Sequence, residues 1–100
     1  MKIAIPLFKE RVSPHFGSSS RLLLVETNGR KISQEAKWEV GAGSPVEMAR
    51  RLVDLGVEKL ICGGIQSYCK EWLIKKGLIV VDNQKGAAEE IIRNLLQSER

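Results

Sequence analysis

Residues 2–8 read KIAIPLF, and both alternating sets of positions in that run are apolar. A strand with one wet face alternates apolar and polar residues, whereas a strand apolar on both faces is covered on both. The run therefore predicts a central strand with packed layers above and below it, which points to an α/β architecture. Pro6 has no N–H to give to a ladder and argues against a fully hydrogen-bonded position at that point.

The rest of the chain supplies those layers. Residues 21–27, RLLLVET, read as a second strand, and Asn28-Gly29 is the pair preferred in a type I′ hairpin turn. Residues 30–39 read as the returning strand, with a looser alternation that suggests a sheet edge. GAGSPVEMARRL then opens a helix, with Ser44 as cap, Pro45 at the first helical position and Glu47 completing a capping box. Val46, Ala49, Leu52 and Val53 form its expected inward stripe, and Gly56 ends it. A strand over 57–62 follows, then Gly63-Gly64, a helix over about 66–76 stopped by Gly77, a strand over 78–82 and a helix over about 86–97. Ala88, Ile91, Ile92, Leu95 and Leu96 share one face of that last helix.

The order β-β-β-α-β-α-β-α predicts a five-stranded mixed sheet in the order 3-2-1-4-5, with strand 2 antiparallel to the rest. Right-handed crossovers place the first two helices on one face and leave the third for the other. The 100 residues, 43% apolar and 28% charged, suit one globular domain over 1–100. Lys and Arg number 16 against 12 Asp and Glu. That surplus favours anionic small ligands and is too scattered for a nucleic-acid surface. No apolar run reaches the length of a membrane span, and MKIAIPLF lacks the cleavage pattern of a signal peptide. The expectation is a cytoplasmic protein without nucleic-acid or membrane partners.

Chain direction then predicts where a site lies. Strands 1, 3, 4 and 5 end on one edge of the sheet, where ligands of open α/β sheets bind. That edge collects the loop 9–20, the GAGS loop and the CGGIQ loop, and so draws together His15, Cys62 and Cys69. Ser13-Pro14-His15-Phe16 suits a type I turn, with Phe16 as an anchor and Gly17 where a positive φ is needed. Gly63-Gly64 lets a ligand approach the backbone closely, and the amides there with the following helix N-terminus attract anions. Cys69 also falls on the core-facing stripe of its helix, so buried hydrophobe and ligand are both open readings for it. Two Cys and one His fall short of a closed zinc site. An open set of soft donors suits an iron–sulfur or molybdenum–sulfur species. Trp38, Trp72 and Tyr68 read as packing residues, and GAG at 41–43 lacks the third glycine of a dinucleotide fingerprint.

RVSPHFG after MKIAIP, then GAGSPVEMARRLVDLGV and LICGGIQSYCKEWLIKKGLIVV, resembles the dinitrogenase iron-molybdenum cofactor biosynthesis family, the nitrogenase accessory factor-like proteins. The resemblance runs through nearly the whole chain, and SPHFG with the strand-GG-helix unit are its most specific parts. It implies a ribonuclease H-like three-layer α/β/α fold and a non-catalytic role in binding or carrying iron-molybdenum cofactor, its iron–sulfur precursor or a related molybdenum–sulfur cluster. On that basis His15 is the first expected metal contact, with Cys62 and Cys69 as further metal ligands. Arg11, Ser13 and the Gly63 and Gly64 amides complete the expected cofactor-binding set. Relatives often carry a histidine near the GAG loop, where this chain has Trp38-Glu39-Val40. The implied partners are the cluster and a donor or acceptor protein for it.

Three other functions compete with that reading. A nuclease needs clustered carboxylates for two metal ions, and only Glu47 is loosely placed. A protein-interaction or regulatory module would use the same rim without metal. A thiol-redox protein would need Cys62 and Cys69 within disulfide range.

Overall fold

The structure, a computed structural model, describes residues 1–40 and 43–98. Its elements are β1 (Lys2–Phe8), β2 (Arg11–Val12), β3 (Arg21–Asn28), β4 (Lys31–Glu39), α1 (Pro45–Asp54), β5 (Lys59–Ile61), α2 (Ser67–Lys75), β6 (Ile79–Val81) and α3 (Ala88–Ser98). The sheet is mixed, and it has six strands where the sequence predicts five. Its path is β4-β3-β1-β5-β6, with β2 off the path and paired to β1. The five expected strands lie in the order 3-2-1-4-5, which is this path once β2 is counted, and the correction is the sixth strand. The added element is β2, which turns back from β1 through Lys9 at φ 58. Leu7 pairs with Arg21 on one side and with Val12 on the other, so β2 occupies the flank that β5 leaves open. Pro6 sits at that handover, where its carbonyl accepts from the Ser13 N–H at 2.8 Å.

The two-faced character of β1 explains the layering. Ile3, Ile5 and Leu7 pack with Leu23, Val25, Ile61 and α3 residues Ala88 and Ile92. Ala4 on the other face joins Leu22, Leu60, Leu73 and the α1 residues Met48, Ala49 and Leu52. Each large apolar side chain so buried contributes about 1.5–3 kcal/mol, which is why a run apolar on both faces ends in the middle of the sheet.

Two expected packing assignments change. On α1, Met48 is buried and Val46 is 41% exposed, so the inward stripe is rotated from the predicted one. Trp72 packs against the core, whereas Trp38 and Tyr68 are exposed. The α1 cap forms as its residues dictate: Ser44 Oγ accepts from the Glu47 N–H at 3.2 Å and Pro45 opens the helix. Among the described residues no helix is long and apolar enough to cross a membrane.

Candidate functional site

β1 and β3 run antiparallel, as do β3 and β4, while β1, β5 and β6 run parallel, so β1, β4, β5 and β6 end on one edge. Three loops meet there. The first follows β2 as Ser13-Pro14-His15 and closes in a short 3-10 turn over Phe16–Ser18. His15 is extended, at φ −132 and ψ 118, and not in the conformation of a type I turn. The cause is a backbone bridge to the loop after β5. Gly64 N–H donates to Pro14 O and Phe16 N–H donates to Gly64 O, each at 2.9 Å.

That bridge defines what the two glycines do. A Cβ on Gly63 would stand 2.5 Å from Ser13 O and 3.0 Å from Pro14 Cα, and one on Gly64 would stand 3.1 Å from Pro14 O. Glycine is needed here because one backbone crosses another. The Gly64 N–H predicted to face a ligand is committed to Pro14. Gly17 is likewise placed by contact: a Cβ there would meet Pro45 Cγ at 2.3 Å, and Gly17 is not among the glycines with positive φ. Loop one is thereby seated on both the β5 loop and the start of α1. Gly41 and Ala42 of the GAGS loop lie outside the described residues; Gly43 and Ser44 lie inside them.

Phe16 anchors the first loop as expected, buried beside Cys62 in the cluster under α1 and α2. Ser13 is buried, and its hydroxyl donates to His15 O at 3.0 Å, so it holds the loop's shape. His15 itself is exposed. Arg11 is exposed on β2, bridged through its backbone to Ala87 at the start of α3. The thiols are elsewhere. Cys62 and Cys69 are free and buried in the same apolar cluster. Burial, with a smaller push from the Asp82 carboxylate that Lys70 partly offsets, raises the Cys62 thiol to about 12. Burial also raises Cys69 above the ordinary thiol value, against a hydrogen bond from Tyr68. Lys70 in turn pairs with Asp82 at 3.2 Å. The structure thus brings His15 to the backbone of the Cys62 loop and keeps both thiols buried in the apolar cluster. Among the described residues no three His, Cys, Asp or Glu side chains form a group that could hold a metal ion.

One feature of the rim carries no prediction from sequence. Gly17, Ser18, Ser19, Ser20 and Gly43 line an open hollow of about 320 Å³ beside the turn that follows His15. A smaller crevice next to it, bordered by Val40, Ser44 and Arg51, measures about 40 Å³ and has room only for a few waters. The serine run is visible in the sequence, but three serines after a glycine read equally well as plain loop.

The model of the dinitrogenase iron-molybdenum cofactor family matches residues 1–98, and the chain belongs to that family. Its fold is similar to that of several solved proteins. The crystal structure of PH0822 superposes with a TM-score of 0.92 at 24% identity, covering 99% of this chain and 91% of that one. A Methanocaldococcus jannaschii protein provisionally assigned as a dinitrogenase gives 0.79 at 16% identity, over 99% of this chain and 90% of its own. A Thermotoga protein provisionally assigned as NifB gives 0.73 at 22% identity, over 97% and 88%. No curated protein matches the chain significantly.

Proposed function

We propose that this chain is a non-catalytic carrier that holds a metal–sulfur cluster, of the iron–molybdenum, iron–sulfur or molybdenum–sulfur kind, on the open rim of its sheet and passes it to an acceptor protein in the cytoplasm. The observation that carries the reading is His15: an exposed imidazole on a backbone pinned to Gly64 on one side and followed by a turn seated on Pro45. Imidazole is a good ligand for iron. The serine-lined hollow at the turn that follows it is open enough to admit a cluster whole, and the exposed Arg11 with the chain's net charge of +4 favours an anionic cargo. Sparse protein ligation suits cargo that must be released. The Cys62 and Cys69 sulfurs stay out of the resting contact set, because the thiolate is the ligating form and burial opposes it. Ser13 and Gly64 support the site by holding the loop, since their polar groups are engaged within the protein.

Anaerobic titration of the protein with ferrous iron plus sulfide, and separately with tetrathiomolybdate, tests this through visible charge-transfer absorption. The expected result is saturable absorption that His15→Ala weakens at least about tenfold and Cys62→Ala leaves in place. A flat titration with both species would overturn the carrier reading. Loss of absorption with Cys62→Ala and not with His15→Ala would move the ligand from the rim to the core.

A further inference from the structure

β4 is exposed along all nine of its residues, Lys31–Glu39, on both faces of the sheet. It ends the sheet path, and among the described residues no strand pairs its outer edge. Trp38 is 48% exposed and Ile32 42%. A long edge strand that carries apolar side chains and is covered by neither helix layer is a template for strand addition.

The backbone fixes which residues face outward. Val40 N–H donates to Ser20 O at 2.9 Å, and the register runs Leu22 to Trp38 and Leu24 to Ala36. In an antiparallel ladder alternate residues turn their N–H and C=O to the same neighbour. Trp38 and Ala36 therefore bond toward β3, and Glu35, Lys37 and Glu39 present their backbone groups to the open side. A bulge at Ser33, where Gln34 pairs with Glu26 but Ile32 with Thr27, limits the regular outer edge to the stretch from Gln34 onward.

We propose that this edge pairs antiparallel with β4 of a second copy of the chain, about a two-fold axis at Ala36. Charge complementarity supports a second copy as the partner, and among axes at Glu35, Ala36 and Lys37 it selects Ala36. With the axis at Ala36, Glu35 of each copy lies across from Lys37 of the other, whose ammonium also meets Glu10 of its own chain. An axis at Glu35 would set the two Glu35 carboxylates face to face. An axis at Lys37 would set Lys37 against Lys37 and Glu35 against Glu39. Like charges directly opposite destabilise a strand pair and opposite ones support it. On the α1 side of the sheet, Trp38 of each copy lies across from Gln34 of the other. The indoles, which now border a surface groove with Leu24 and Ala36, would cover the seam. Because β4 ends at the rim that bears His15, the two rims of the pair lie at opposite ends of one continuous sheet, each open to its own cargo.

Analytical ultracentrifugation of the full chain over micromolar to millimolar concentration tests the proposal. The expected species has twice the 11.2 kDa of one chain. Glu35→Lys replaces two attractive pairs by two repulsive ones and should raise the dissociation constant about tenfold or more. Glu35→Lys combined with Lys37→Glu should restore it. Glu35→Pro removes an outward N–H without touching the β3 ladder, and should give a folded single chain by circular dichroism. A single-chain mass at every concentration overturns the proposal and leaves the edge to another polypeptide. A dimer indifferent to Glu35→Lys, or one not rescued by the exchange, overturns it as well.

Discussion

Replacing Gly63 by alanine tests whether the rim is held by one backbone crossing another. The added Cβ would stand 2.5 Å from Ser13 O and 3.0 Å from both Pro14 Cα and Pro14 O, all main-chain atoms of the opposing loop. A flexible side chain could swing aside; these atoms cannot move unless the loop moves. Overpacking of this kind costs about 1–3 kcal/mol. Retreat of the loop also weakens the Gly64 N–H to Pro14 O and Phe16 N–H to Gly64 O bonds, at about 1 kcal/mol each. The expected loss is about 2–5 kcal/mol, and for a domain of this size each kcal/mol lowers Tm by about 4–8 °C. Thermal unfolding followed by circular dichroism should therefore show a fall of about 8 °C or more, and hydrogen exchange at the Gly64 and Phe16 amides should speed up. Gly64→Ala, whose Cβ meets only Pro14 O at 3.1 Å, should cost clearly less. A Gly63→Ala protein within 2 °C of the parent, with both amides still protected, would refute the reasoning, since the loops would then not be in the contact on which the site depends.

Four further outcomes follow from the site. At pH 8 a Cys62 thiol raised to about 12 holds roughly a thousandfold less thiolate than an ordinary one, so it should resist a thiol reagent until the protein unfolds; rapid labelling of native protein would contradict its placement. The same raised value means that its contribution to stability is complete below the ordinary thiol range and is lost as pH climbs toward 12. Denaturant unfolding between pH 9 and 11 should fall with a slope about 1.4 kcal/mol per pH unit shallower in Cys62→Ala than in the parent, and equal slopes would refute the shift. Ser44→Ala removes the α1 cap and should lower unfolding free energy by about 1 kcal/mol, with no change indicating that the cap bond is idle. His15→Ala should leave Tm unchanged within about 3 °C, because the fold uses only the backbone of that residue; a larger fall would give the imidazole a structural duty.

Features settled by neighbouring residues were legible in the sequence, and features settled by distant ones were not. Ser44, Pro45 and Glu47 announce α1 because a cap is made within four residues. KIAIPLF announces a covered strand because its two faces alternate within seven. β2 is only two residues long, and its outer partners are Gly86 and Ala87, some seventy-five positions away. The periodicity of α1 gives an apolar stripe but not its rotation, and the choice of Met48 over Val46 for the core depends on where the sheet and α2 lie. Cys62 looked open because it ends a strand before two glycines. What covers that strand end is the loop bearing Ser13 and Pro14, which arrives from the other end of the chain.

The glycines of the CGG stretch show how a correct location can rest on an incorrect cause. Close approach was the right inference from Gly63-Gly64, and the rim is where it happens, but the approaching body is the protein's own carbonyl-bearing loop. A lock built from glycine Cα atoms, main-chain carbonyls and a proline ring leaves the outward side chains free of structural duty. His15 and the hydroxyl-lined hollow can therefore be chosen for what they bind, while Gly63, Gly17 and Pro45 are chosen for fit. Both thiols fill the apolar cluster as small groups, and burial withholds their chemistry. On the carrier reading, binding and stability fall to different residues of the rim, and substitutions there should separate into those that change Tm and those that change cargo.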